Sequence, residues 1–476
     1  MNKSIAGFFL SAALIPTLLM AEPQAVGPIN FGGGLNMATL ATLIPDGDSP
    51  DMCNCSPEIN GAMSGRNGSD RFIDRPISSN SVTSIQRVYS STVSWKVNKA
   101  IIASSYDKIM VATSDVSPVW LVISSRNYAY NHYNYVTMNG KVIIAGDSFL
   151  ENVRTYDIAL RERNLSDAFT VGAATGGINP RGKYQIVANN YYLMANVQIS
   201  TEFEHLQHLT TYYASKILFS PLNNFSSMTF QRYIDYNTNE GEEITGLGSI
   251  YGGDFKNSVN VFKPASIGEI SWTNSLDLPS NGGDFQFTEV VKGFGCIAPR
   301  TLANTGQFYV FLAKDGLRIW DGGRQSRLQQ SESARIISND IKPLIDDLIR
   351  SGRYKSAVGI YYPKKEQYWL SIEHPNRFPR GKNNYVLMYD FQTGKWFPQC
   401  NFLADSFTVA DNQDDTGQLF YGDSNDGYVH KLDVDTRSDD SRKEISLDVM
   451  DSSFTWVGST VNVVEIFEGS ASLKLS

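Results

Sequence analysis

Residues 241–272, GEEITGLGSIYGGDFKNSVNVFKPASIGEISW, and 290–323, VVKGFGCIAPRTLANTGQFYVFLAKDGLRIWDGG, decide the reading of this chain. Four short apolar runs, 259–262, 267–272, 309–312 and 317–320, are separated by Gly, Asn and Asp. Lys314-Asp315-Gly316 divides the last two runs. Asp-Gly between two β-rich segments is a strong hairpin signal, because a tight turn needs a positive φ that glycine adopts without steric cost. Asp321-Gly322-Gly323 is a second turn. The stretch therefore reads as a meander of short antiparallel strands.

The same plan extends outward. Runs at 99–104 and 108–112 flank a Ser-Tyr-Asp turn, and 119–123 is a further run. Residues 136–138 and 141–145 form a hairpin around Asn139-Gly140. Tyr128, Tyr130, Tyr133 and Tyr135 partly follow a period of two, which favours packing between sheets over a stacking platform for bases or sugars. Residues 160–182 are polar and glycine-rich and read as a surface loop, with strands resuming at 183–188, 191–197 and 216–220 and a Pro221–Asn224 turn after them. Residues 333–352 carry the one helical pattern. Ile337, Ile341, Leu344, Ile345, Leu348 and Ile349 share a face, Asn339 is placed to cap, Pro343 suits the first turn and Gly352 stops the helix. Strands return at 367–372 and 385–390. YDFQTGKWF (389–397) and YGDSNDGYVHKLD (421–433) share a strand–Asp–turn–strand plan, and their spacing is near a propeller blade period.

The expected fold is all-β, a β-propeller of about six or seven blades with one inserted helix near 339–351 and an extended N-terminal arm. Four segments follow: a signal-like apolar leader at 1–22, the arm at 23–80, the propeller body at 81–435, and C-terminal edge strands at 436–476, where 436–445 is a charged break. Radial repetition also protects the edges that so many short strands create. The leader, MNKSIAGFFLSAALIPTLLMAEP, fits a secretory signal and is marginal as a membrane span because Pro16 interrupts it. Translation from Met20 is the rival reading. Stable membrane insertion is not expected. Ile29, Phe31, Leu35, Leu40, Leu43 and Ile44 recur too often for a solvated linker, so the arm is expected to wrap the body or reach a neighbour.

A net charge of −8 argues against sequence-independent binding of nucleic acid, which needs a basic face. The Cys53-x-Cys55 spacing is too tight for a bridge within the pair, and with Cys296 and Cys400 these are expected to be buried free thiols. The five histidines form no metal-ligand spacing, His205-x-x-His208 included. Asp423-Ser424-Asn425-Asp426-Gly427 resembles a calcium loop without its distal Glu and reads as a plain turn. Asp346-Asp347 lies on the polar helix face. No nucleophile elbow, zinc-protease helix motif or phosphate loop occurs, so no catalytic, cofactor or metal residue is assigned and the protein is not expected to be an enzyme.

The segments 241–247, 261–267, 291–300, 311–316 and 320–323, taken in order, resemble the tail-nozzle or packaged-DNA stabilisation proteins of short-tailed bacteriophages. Phe31–Asn36 (FGGGLN), Leu43-Ile44-Pro45-Asp46 and Arg66-Asn67-Gly68 resemble the start of such proteins. The resemblance implies a non-enzymatic virion component built on a propeller. It implies a homo-oligomeric ring, a hexamer by family, seated below the portal and adaptor, contacting other tail proteins and letting packaged DNA pass through its lumen. The leader and the short segment after 436 depart from that pattern. Two other readings stand beside it: an exported, secreted or periplasmic propeller that binds or cleaves polysaccharide, and a cell-surface adhesion scaffold. Within 293–300 (GFGCIAPR) no residue is given chemistry. Cys296 is expected to be buried and Arg300 to hydrogen-bond to backbone.

Overall fold

A computed structural model describes residues 32–457 except 41–42, 46, 58–62, 92–96, 114–117, 126–131, 150–151, 159–164, 170–178, 203–207, 237–240, 250–257, 273–284, 323–333, 401–402, 411–416, 435–437, 440–442, 445–447 and 451–455. The leader, Tyr128, Tyr130, His205 and Gly323 lie outside the described residues.

Six four-stranded antiparallel sheets follow one another along the chain, and a seventh blade supplies four strands of a six-stranded sheet. Blade 1 is Val82–Ser91, Val97–Ser105, Lys108–Thr113 and Trp120–Ser125; blade 2 is Tyr133–Met138, Lys141–Gly146, Arg154–Asp157 and Ser166–Asp167. Blade 3 is Asn179–Ala188, Tyr191–Glu202, His208–Phe219 and Tyr233–Asp235; blade 4 is Gly246–Gly248, Val259–Phe262, Ser266–Trp272 and Phe285–Lys292. Blade 5 is Ala303–Asn304, Tyr309–Ala313, Gly316–Trp320 and Ala334–Ile336; blade 6 is Val358–Tyr362, Gln367–Ile372, Tyr385–Asp390 and Lys395–Gln399. Blade 7 takes Ala404–Ala410, Gln418–Asp423 and Val429–Val434 from the C-terminal side and Gly68–Arg71 from the N-terminal side.

The first strands of successive blades line the axis and are joined by side chains. Ser406 Oγ donates to the Val82 carbonyl, the Arg87 amide donates to Thr408 Oγ1, and the Tyr133 amide donates to Ser84 Oγ. The apolar layers lie between blades, and this explains why the strands read as unbroken apolar runs. Where a strand is covered by a neighbouring blade on both faces, as in Tyr309–Ala313 and Gln367–Ile372, both sets of alternating residues are buried. In Tyr309–Ala313, Val310 and Leu312 join the layer shared with blade 6, while Tyr309, Phe311 and Ala313 join the layer shared with blade 4. Burying the five side chains on both faces contributes roughly 2 kcal/mol for each large one before chain entropy is charged.

The hairpin at Asn139-Gly140 forms as read, with φ of 52° and 75° and Met138 paired to Lys141. Tyr133 and Tyr135 are buried between blades 1 and 2. Several expectations change. The helix is Lys342–Arg350, with Pro343 in its first turn and Gly352 at φ 77° beyond its end, but Ile341 occupies the cap and Asn339 contributes no side-chain cap. Ala334–Ile336, read as the start of the helix, is the outer strand of blade 5. Ser166–Asp167 and residues 179–182, read as loop, are strands. Gly182 makes the latter possible, since a Cβ there would lie 2.0 Å from Met194 Cγ. The two similar units at 389–397 and 421–433 are not equivalent. The first spans the third and fourth strands of blade 6 and the second spans the second and third strands of blade 7, so they share turn chemistry and not blade position. In the charged break, Ser438–Asp439 pairs with Lys443–Glu444 and with Ser69 of the closing strand.

The described part of the arm follows the outer strand of blade 6. The Asn54 amide donates to the Pro398 carbonyl, the Cys400 amide to Asn54 Oδ1, and Gln399 Nε2 to the Cys55 carbonyl. Cys53 and Cys400 are joined by a disulfide, with Cα atoms 5.6 Å apart, which corrects the expectation of four free thiols. Only Cys55 and Cys296 are free. Pairing across 347 residues is invisible in spacing, because the arm alone brings Cys53 to the end of blade 6.

Candidate functional site

One side chain links the crossover between blades 4 and 5 to blades 7, 1 and 2 across the propeller. Arg300 lies in a short 3-10 turn, Pro299–Thr301, on the crossover from blade 4 to blade 5. Thr301 Oγ1 donates to the Ala298 carbonyl, and Tyr368 of blade 6 donates to the Thr301 carbonyl, which fixes that turn. From it Arg300 reaches blades 7, 1 and 2. Its Nη2 donates to the carbonyls of Thr83 and Asp405, and its Nη1 lies 3.1 Å from His132 Nε2 and 3.9 Å from Asp405 Oδ1. The backbone bonding expected for Arg300 is present. Cys296 is fully buried, donates to the Ala298 carbonyl, and burial pushes its thiol up to about 12.

His132 is neutral in this arrangement. Its Nδ1 lies 2.9 Å from the Thr83 carbonyl and so carries the proton, which leaves Nε2 as the acceptor facing Arg300. Burial, and then the Arg300 charge, lower it to about 3. Asp147 accepts from the His132 amide, and Asp405 accepts from Asn383 Nδ2. Burial raises both carboxyls above their ordinary value although Arg300 draws them down. The network is one guanidinium shared between two carboxyls and two carbonyls, with the imidazole held in one tautomer.

An open hollow of about 520 Å³ adjoins it, between blades 2 and 3, lined by Asp147, Ser148, Phe149, Lys183, Gln198 and Tyr212. Lys183 Nζ lies 3.1 Å from Glu243 Oε2 and 5.4 Å from the Phe149 ring centre. Asn196 Nδ2 donates to Glu243 Oε2 at 2.9 Å, and the Tyr212 hydroxyl lies 2.7 Å from Asn196 Oδ1. A β-bulge places Asn196 there: the register shifts between Ala195 and Val197, and Asn196 takes φ 55°. Burial pushes Glu243 up, but the hydrogen bonds from Asn196 and Lys183 and the Lys183 charge outweigh it and hold the carboxyl low. Burial and the Glu243 carboxylate push Tyr212 up to about 12.

This arrangement can recognise a polar ligand through aromatic walls, a paired ammonium and an amide. His132 is not a free base here, since its two nitrogens are committed to Thr83 and Arg300. No residue here was assigned from sequence, because Asp147, Lys183, Tyr212 and Glu243 come from separate strands and share no local spacing. Of the positions that stand out in the sequence, Cys296 and Arg300 belong to the network and its turn, and the others lie elsewhere. Asp346 pairs with Lys342 and Asp347 with Arg353 on the helix surface. His208 begins a strand of blade 3. Asp423 and Asp426 occupy a turn of blade 7 beside His430.

The sheet order defines the class of protein as a seven-bladed β-propeller closed by its own N-terminal strand. No protein-family model and no curated protein matches the chain. Among solved structures it is similar to the WD40 β-propeller domain of Doa1, with 10% identity and a TM-score of 0.40 over 77% of this chain and 97% of that one. It is also similar to BBS1N in complex with ARL6DN, with 8% identity and a TM-score of 0.42 over 78% and 98%.

Proposed function

We propose that the protein is a non-enzymatic structural component of a bacteriophage tail, a nozzle or stopper subunit that assembles as a ring below the portal and adaptor and retains packaged DNA. The observation that carries this reading is the ordered series of motifs across 241–323, whose segment 291–300 ends in the side chain that links blades across the propeller. Each propeller is thereby bridged, so DNA would travel along a lumen shared by several propellers and not through one of them. Leu40 and Leu43 on the arm are 73% and 67% exposed, apolar side chains available to a neighbouring subunit. A net charge of −8 suits a conduit that does not grip its cargo.

Electron microscopy of the purified full chain at high concentration tests the proposal, with rings whose lumen admits a DNA duplex as the expected result. A dispersed monomer under all conditions, with and without phage adaptor, would sink it. A second reading, an exported polysaccharide-binding propeller, rests on the Phe149–Tyr212 hollow. Retention of the chain on immobilised glycans, lost in Tyr212→Ala, would favour that reading.

A further inference from the structure

We propose that the turn between the second and third strands of blade 7 binds a divalent transition-metal ion through Asp423, Asp426 and His430. One ligand atom from each residue falls within 4.8 Å of the others. The sequence alone marks this turn only as an incomplete calcium loop, because the third ligand is an imidazole on the following strand. His430 is four residues beyond Asp426, and its strand pairing sets it opposite Tyr421, whose ring stacks on it at 4.8 Å.

Two independent features point to a ligand. The first is the pair of carboxylates, Asp423 and Asp426, which share one turn beside His430. The second is His430, which is only 6% exposed and whose two ring nitrogens both lack a hydrogen-bond partner. An imidazole buried with neither nitrogen satisfied is costly, and its Nε2 points at the cluster, 4.0 Å from Asp426 Oδ1. Asp423 Oδ1 accepts from the amides of Asn425 and Asp426, and Asp426 Oδ1 from the amide of Tyr428, which fixes both carboxylates within the turn. Bonds of about 2.1 Å place neighbouring ligand atoms about 3.4 Å apart in a tetrahedral site, so the widest of these separations would close by roughly 1.4 Å on binding. One imidazole with two carboxylates suits zinc or manganese better than calcium or magnesium, which prefer oxygen alone. The nearby Arg71 guanidinium is engaged by Asp74 and by the face of Tyr428.

The ion would act on the closure of the ring. The Gly427 carbonyl accepts from the Ile77 amide and the Val429 carbonyl from the Phe72 amide, so the turn is clamped to the segment leaving the closing strand. Titration calorimetry with zinc chloride or manganese chloride on the chelator-dialysed full chain should show one equivalent bound in the micromolar range, with a higher melting temperature. Asp426→Asn, which keeps the acceptor for Tyr428, and His430→Gln should each weaken binding at least tenfold with unchanged far-ultraviolet circular dichroism. Absence of uptake by the wild-type chain, or wild-type affinity in a folded His430→Gln variant, would overturn the proposal.

Discussion

Blades 5 and 6 and blade 3 are built from the same four-strand plan and reach opposite ends of it. In blades 5 and 6 the second strands, Tyr309–Ala313 and Gln367–Ile372, are buried at every position. They are five and six residues long, and both faces meet a neighbouring blade. In blade 3 the second and third strands are twelve residues each, and Tyr212 and Tyr233 stand 46% and 42% exposed. The short strands end where inter-blade cover ends. The long ones run past it and, with their bulge at Asn196, frame the hollow beside the axis. Within one repeating architecture, strand length beyond the covered wedge separates fully buried scaffold from open surface.

The largest effect that would sharpen this contrast is expected from Trp396→Ala. Trp396 is fully buried in the blade 6 core and donates Nε1 to the Ile337 carbonyl at 2.7 Å. Removing it should cost about 4 kcal/mol in urea unfolding. Gly295→Ala should come next, at about 3 kcal/mol, because the added Cβ would lie 1.9 Å from the Lys263 carbonyl, a backbone atom that cannot swing away. A loss below about 1 kcal/mol for either would break the comparison.

A third measurement concerns the axis, where the two kinds of blade meet. The folded His132 value of about 3 lies below the ordinary 6.5, so between these limits the unfolded chain binds a proton that the folded chain refuses. Stability is therefore present above 6.5 and drains away as pH falls toward 3. From about pH 7.5 to pH 5 this term removes about 2 kcal/mol. Asp147 and Asp405, both raised, work in the opposite direction at lower pH. The diagnostic quantity is the difference between wild type and His132→Gln: the variant should lose about 2 kcal/mol less over that interval, and equal losses would remove the histidine from the account. The smallest effect is expected from Tyr212→Phe. It gives up a half-exposed hydroxyl bonded to Asn196 and should change stability by less than about 1 kcal/mol.

The same contrast explains what the chain discloses before it folds. Strands covered on both faces announce themselves as apolar runs, so 309–312, 317–320 and 367–372 are readable with nearly their observed limits. Asn139-Gly140 and Pro343 are readable because backbone geometry restricts which residues can occupy those positions. The third strand of blade 3 does not read at full length, since Thr210–Ala214 lie outside the buried layer and follow no apolar period. Pairings between distant segments leave no local trace. Gly68–Arg71 is a polar tetrapeptide matched to a partner some 360 residues later, and Cys53 meets Cys400 only because the arm lies along blade 6. Arg300 is a partial exception: the glycine- and proline-bounded segment before it marks a rigid turn, but not the three blades that its guanidinium reaches.

The closing strand also sets a schedule. Gly68–Arg71 leaves the ribosome early, while Val429–Val434, the strand it must pair with, is made 358 residues after Arg71 (429 − 71). At ordinary elongation speeds that interval is on the order of tens of seconds. Throughout it the seam between blades 7 and 1 has only one lip, and six blades must wait unclosed. A four-residue segment of Gly, Ser, Asp and Arg is a suitable occupant of that interval, since it has backbone to offer a future neighbour and almost no apolar surface to offer a wrong one.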